Sequence, residues 1–131
     1  FVAGFLGSPP MNFIDCTLKN GILRSPGFQI ALSPTLAETV SNRATGSELV
    51  FGFRPEDASL SKIPTTHAIE TEVYMCEPLG REMIADLKLG DNIVKAQTGS
   101  NVELEIGEKL WLTTRQDAIH LFDKKTGEAL V

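Results

Sequence analysis

His67, His120, Cys16, Cys76, Glu70, Glu72 and Arg54 carry the side chains whose types could support catalysis, metal binding or anion binding. Their spacing argues against each in turn. A zinc or redox site needs Cys and His ligands a few residues apart, whereas both cysteines stand alone in apolar stretches and neither histidine has a second ligand nearby. Small buried thiols in a reducing compartment are the simpler account. Glu70 and Glu72 fall on one outward face of an alternating run, where water solvates both, so they make no isolated acid/base pair. Arg54 could hold an anion, yet Glu56 and Asp57 follow it and offer a local ion pair. Thr98-Gly99-Ser100-Asn101 is the polar run that could gather donors around a small oxyanion, the chemistry a free-standing small-ligand barrel would need. Trp111, between Leu110 and Leu112, is either a binding platform or the cover of a barrel edge. No glycine is followed by lysine, so there is no phosphate-cradling loop, and no catalytic, metal or cofactor residue is expected.

Charge excludes a further class. Seventeen acidic residues oppose 12 basic ones, for a net charge of −5, and they are scattered with no basic stripe to neutralise phosphates. Nucleic acid is not an expected partner. No apolar run approaches the roughly 20 residues that span a bilayer, and no basic region precedes the first apolar residues. A cytosolic location follows as an expectation. Phe1, Val2 and Phe5 have helical spacing before Gly7, Pro9 and Pro10, as if a helix had been cut from something larger. Residues 1–10 therefore read as a linker and 11–131 as one domain.

The elements that must position these residues are short and mostly extended. Residues 11–18 and 22–32 are β-prone pieces joined by a hairpin turn at Asn20-Gly21, with a second turn at Ser25-Pro26-Gly27. Thr35-Leu36-Ala37-Glu38 fits a capping box, which predicts a helix over residues 35–44 with Gly46 as its stop. Leu49, Val50, Phe51 and Phe53 read as a buried strand that must end at Arg54, because Pro55 lacks a donor and biases Arg54 to an extended backbone. Pro55-Glu56-Asp57-Ala58 should make one helical turn, and residues 61–66 a connector. From His67 onward, Ile69, Thr71, Val73 and Met75 alternate with Glu70, Glu72 and Tyr74 as a strand with one dry face. Glu77-Pro78-Leu79-Gly80 turns it into a return strand with Met83, Ala85, Leu87 and Leu89 inward. Residues 93–97, 102–106, 109–114 and 119–122 add short strands. The fold class is mainly β: a small antiparallel, closed or partly open barrel with one or two short helices.

Several of these segments together resemble the carboxy-terminal regulatory region of the ATP-binding subunits of sugar-importing ABC transporters, the maltose-importer type. The chain from Phe1 through Phe5, Met11 and Phe13 is similar to that family's passage out of its ATPase domain. Gly52-Phe53-Arg54-Pro55-Glu56-Asp57 resembles its Gly-x-Arg-Pro-Glu signature, and Glu77-Pro78-Leu79-Gly80-Arg81-Glu82 and His120-Leu121-Phe122-Asp123 follow in the family's order. The resemblance implies an oligonucleotide-binding-like barrel of the molybdate-binding type, appended to an ATPase domain that would hold ATP and Mg. It also implies a regulatory role, with a second copy, the ATPase domain, the transporter's membrane subunits and a regulatory protein as partners, on the inner face of the cell membrane. Phe5, Met11, Phe13, Gly52, Arg54, Pro55, Glu56, Glu77 and Gly80 are the signature or interface candidates. Phe1, Phe5, Met11 and Phe13 are expected to form an exposed apolar patch.

Overall fold

The structure, a computed structural model, describes residues 11–99 and 101–131. The expected linker, with Phe1 and Phe5, lies outside the described residues. Asn12–Lys19 (β1), Ile22–Ser25 (β2) and Phe28–Ala31 (β3) form successive antiparallel hairpins. Asn20 and Gly21 both take positive φ, 53° and 76°, as a tight two-residue hairpin demands. The helix α1, Pro34–Arg43, follows, then Glu48–Phe53 (β4) and a single 3-10 turn at Pro55–Asp57. Ala58–Ser61 (β5), Ile69–Leu79 (β6), Glu82–Leu89 (β7), Asn92–Gly99 (β8), Lys109–Thr114 (β9) and His120–Asp123 (β10) complete the chain.

Two antiparallel sheets result, ordered β10-β4-β1-β2-β3 and β5-β9-β6-β7-β8. Their inner faces share one core. Ile14, Leu23, Leu49, Phe51 and Phe53 from the first sheet meet Val73, Leu87, Leu89, Leu110 and Leu112 from the second, with Val40 of α1 closing one end. Phe51 lies at the centre, its ring centroid 6.1 Å from Phe28 and 5.5 Å from Phe53. The sheets touch along β1 with β8 and β3 with β6, and the edge strands β5 and β8 of the second sheet approach one another, so the whole is a small, partly open barrel.

Two contacts fix how the sheets meet. At one seam the Asn12 side chain accepts from Lys95 N–H at 2.7 Å and donates to the Lys95 carbonyl at 2.8 Å and the Phe53 carbonyl at 3.3 Å. At the other, the Pro26-Gly27 turn of the first sheet lies against the Gly90 turn of the second. A Cβ on Gly27 would stand 2.7 Å from Gly90 Cα, and one on Gly90 would run into the Pro26 carbonyl. Both glycines have positive φ, so a side chain there is opposed by backbone strain and by backbone atoms that cannot move aside.

Several sequence expectations are corrected. The helix is capped by Ser33, whose hydroxyl accepts from Leu36 N–H at 3.3 Å, and not by Thr35. Pro34 suits a first helical position, which sets the boundary earlier, and the helix ends at Arg43 with Ala44 as its extended C-cap, before Gly46. Tyr74 is an inserted residue in β6, where register with β7 shifts between Val73 and Met75. Met75, expected inward, is therefore 50% exposed. Glu77 and Pro78 belong to β6, paired with Ile84 and Met83; the missing proline donor is tolerated because β9 pairs no farther along β6 than Glu72. The turn is at Gly80-Arg81. His67 sits in a turn with φ of 61°, not in a strand. Residues 102–106 form a loop: β6 already has β7 and β9 as neighbours, and only Leu104 of the alternating apolar residues packs on the core. Ala58 and Ser61, expected in a helical turn and in a connector, are the two ends of strand β5.

Two substitutions test the seams. Asn12→Ala should cost about 2 to 3 kcal/mol, since it strands partners on two strands, and a urea-melt loss below about 0.5 kcal/mol would show that water replaces the amide. Gly90→Ala should cost about 2 to 4 kcal/mol, but Gly80→Ala only about 1 kcal/mol. Both positions have similar φ, 60° and 64°, and nothing lies within 4 Å of a Cβ at Gly80. Equal losses at the two would mean the turn-to-turn contact adds nothing.

Candidate functional site

The strand β4 ends as Pro55 requires, with Arg54 extended at φ −86° and ψ 144° and Pro55 buried at the start of the 3-10 turn. That turn leaves Glu56 exposed, beside the β6–β7 turn and the end of β8. Glu56, Arg81, Glu82, Gln97, Thr98 and Gly99 line one shallow hollow of about 420 Å³. Two signature segments far apart in sequence are thereby brought together. Glu56 and Glu82 line it together with Arg81, so its formal charge is net negative, which disfavours an oxyanion. A Cβ on Gly99 would meet Asn101 Oδ1 at 2.7 Å, so Asn101 folds back on the loop; Ser100 lies outside the described residues.

The remaining candidates serve packing. Met11 is buried, 7% exposed, in a small cluster with Val50 and Phe122, and Phe13 meets Phe122 edge-on at 5.8 Å. The expected exposed patch at Met11 is thus corrected. Gly52 lies in the same layer: a Cβ there would approach Met11 Sδ to 2.8 Å and the Phe122 ring to 3.3 Å. The local pair of Arg54 with Glu56 or Asp57 is also not among the ion pairs of the described residues. Asp57 stands 3.6 Å from Arg115 instead, at a mostly exposed site where such a pair is worth little. Glu77 is an exposed strand residue and Gly80 a turn glycine.

Neither cysteine is set up as a nucleophile. Burial, with Asp15 adding, pushes the Cys16 thiol up to about 12, and burial followed by Asp86 and Glu108 raises that of Cys76. Such thiols are poor nucleophiles at neutral pH. Cys76 is half-buried, more open than expected. No cluster of three or more metal-ligating side chains occurs among the described residues, and no described helix is long and apolar enough to cross a membrane. A larger polar groove of about 680 Å³ crosses the outer face of the first sheet, where Asp15 pairs with Lys124 at 3.1 Å beside Arg24 and Glu48.

Asp123 carries the one buried carboxylate among the described residues, at the start of the turn that follows β10. It accepts from Thr45 N–H at 2.6 Å and Thr45 Oγ1 at 2.8 Å with one oxygen, and from the N–H groups of Lys125 and Thr126 with the other. The signal was Asp before Lys-Lys-Thr-Gly, an acceptor at the start of a turn. Those bonds, the Thr45 N–H first, hold its carboxyl below the usual range.

Comparison with known proteins fits this picture. Residues 7–58 match the family model described as the MalK OB fold domain. The chain is 39% identical, over 97% of its length and 33% of the relative's, to the uncharacterized ABC transporter ATP-binding protein y4oS of Sinorhizobium fredii. It is 38% identical to the multiple sugar-binding transport ATP-binding protein MsmK of Streptococcus mutans, over 99% of this chain and 36% of that one. It is 33% identical to the trehalose/maltose import ATP-binding protein MalK of Thermococcus litoralis, over 99% and 37%. The chain thus spans about a third of the length of these relatives. The molybdate-bound structure of the cytoplasmic molybdate-binding protein ModG superposes with a TM-score of 0.66 at 14% identity, covering 84% of this chain and 94% of that one, which shows the shared fold.

Asp123 yields a pH test. Its carboxyl is depressed in the folded state, so its stabilisation is present above the unfolded value of about 4 and is lost as pH falls through the lower folded value. The gap in urea midpoint between wild type and Asp123→Asn should be widest at neutral pH and close toward about pH 2. A gap independent of pH would show that the charge plays no part.

Proposed function

We propose, from a chain that carries a MalK-type OB domain and resembles sugar-importer ATP-binding subunits over nearly its whole length, that it is the regulatory and dimerisation region of such a subunit. The observation that carries this is the extent of the match: 97 to 99% of the chain aligns, at 33 to 39% identity, with relatives named as ATP-binding proteins of y4oS, MsmK and MalK type.

In this reading ATP and Mg are handled by an ATPase portion of the same polypeptide, and the barrel keeps two copies joined. Motors that close on ATP lose their main interface when they open. A second interface on the same chains makes reclosure intramolecular, at an effective concentration of order millimolar for a short connection. The assembly works in the cytoplasm against the transporter's membrane subunits, and a regulatory protein acts through the barrel. Sugar choice rests with the binding protein and the membrane subunits.

Light scattering of the full-length protein without nucleotide tests this, against a version ending before Met11. The full-length form should be a firm two-fold dimer and the shortened form a monomer. Equal mass per particle for the two, whether monomer or dimer, would remove the tethering role.

A further inference from the structure

Ile63 is 68% exposed, Ile106 78%, and Tyr74, Met75 and Val102 stand out nearby in sequence and pairing. Their three segments are bound to one another. Lys62 Nζ donates to the Glu103 carbonyl at 2.6 Å and stands 3.4 Å from the Glu108 carboxylate. The β6 bulge is pinned to the loop by Val73 N–H to the Glu108 carbonyl and Gly107 N–H to the Val73 carbonyl, both 2.8 Å. Within the loop, Glu105 N–H donates to Glu108 Oε1 at 3.1 Å and Glu108 N–H to the Glu105 carbonyl at 3.0 Å. Ser61 fixes Ile63 in the same way, donating to its carbonyl and accepting from its N–H.

An exposed isoleucine on a loose loop needs no explanation, but these are held out by a hydrogen-bonded frame, so their exposure is built in. Ordering such side chains in advance lowers the cost of association. The loop beside Ile106 is acidic: Glu103, Glu105 and Glu108 lie on it and Lys62 pairs with Glu108, while Lys88 stands over the Tyr74 ring at 5.3 Å on the β6 side. The Glu105 N–H and then Lys62 keep the Glu108 carboxyl low and therefore charged.

We propose that this end of the barrel, Ile63 with residues 101–108 and the Tyr74 bulge, docks a protein partner whose apolar hollow is rimmed by lysine and arginine. Ile106 and Ile63 enter the hollow, while Glu103 and Glu105 meet the rim. An anionic lipid surface would be repelled by the same glutamates. A second copy of this chain, acidic overall at −5, offers a poor basic rim. The proposal does not rest on the tethering role.

The test places a photo-crosslinking residue at Ile106, or at Ile93 on the outer face of β8 as the control, in the full-length protein inside its host. Adducts are identified by mass spectrometry, and the partner so identified is purified and titrated. The proposal expects a protein adduct specific to position 106, with attachment beside lysines or arginines. Affinity should fall about tenfold or more on Ile106→Asp or Glu103→Lys, and on raising salt from about 50 to about 500 mM. Thermal melts should show both variants folded, since both side chains are exposed. Adducts only to a second copy or to lipid, equal adducts at positions 93 and 106, no adduct, or a partner indifferent to both substitutions would each overturn it.

Discussion

The side-chain amide of Asn12 does the work of a peptide group, and the union of the two sheets depends on it. At Lys95 both the N–H and the carbonyl of β8 meet the Asn12 amide at 2.7 and 2.8 Å, so the outermost strand of the second sheet is closed by a side chain from β1. An amide carries one acceptor and two donor hydrogens, and here all are used, the second donor reaching the Phe53 carbonyl. A carboxylate or an apolar residue of similar size could not serve both Lys95 groups. With β1 and β8 held together, the Pro26-Gly27 and Gly90 turns can press backbone on backbone, which requires glycine on both sides.

The same economy appears at Asp123, whose carboxylate gathers the end of α1, through Thr45, and its own turn. Arg43 adds a bond to the Leu130 carbonyl at 3.0 Å, so the segment after β10 is held against the helix as well. No buried side-chain nitrogen or oxygen among the described residues lacks a partner. A core this small, with its few polar groups fully satisfied, gives one arrangement of the sheets rather than several.

Much of this was legible in the sequence. Period-2 runs placed β6, β7 and β9, Asn20-Gly21 placed the first hairpin, and the apolar run ending at Pro55 placed β4 and its stop. What escaped depended on partners remote in sequence. Alternation made residues 102–106 look like a strand, but strand formation needs a free sheet edge, which one-dimensional pattern cannot report. The inserted Tyr74 inverted the facing of Met75, because a bulge costs one residue and leaves composition unchanged. Of the candidate site, the joining of Glu56 with Arg81 and Glu82 could not be read, since 25 or more residues and two strands separate them; nor could the roles of Asn12 and Asp123, ordinary polar residues until their acceptors and donors are seen.

The segment Gly52-Phe53-Arg54-Pro55-Glu56, which the sequence offered as a signature, has a structural reason at nearly every position. Gly52 leaves room for Met11 and Phe122, Phe53 fills the core beside Phe51, Arg54 takes the extended backbone that a following proline imposes, and Pro55 is buried at the opening of the 3-10 turn. Glu56 alone turns to the surface, into the hollow with Arg81 and Glu82. Few other residues would let β4 pass from the core to the outer turn within five positions. Substitution at Gly52, Phe53 or Pro55 should therefore register first as lost stability, and Glu56 is the one position in the segment where an effect on a partner could be separated from an effect on folding.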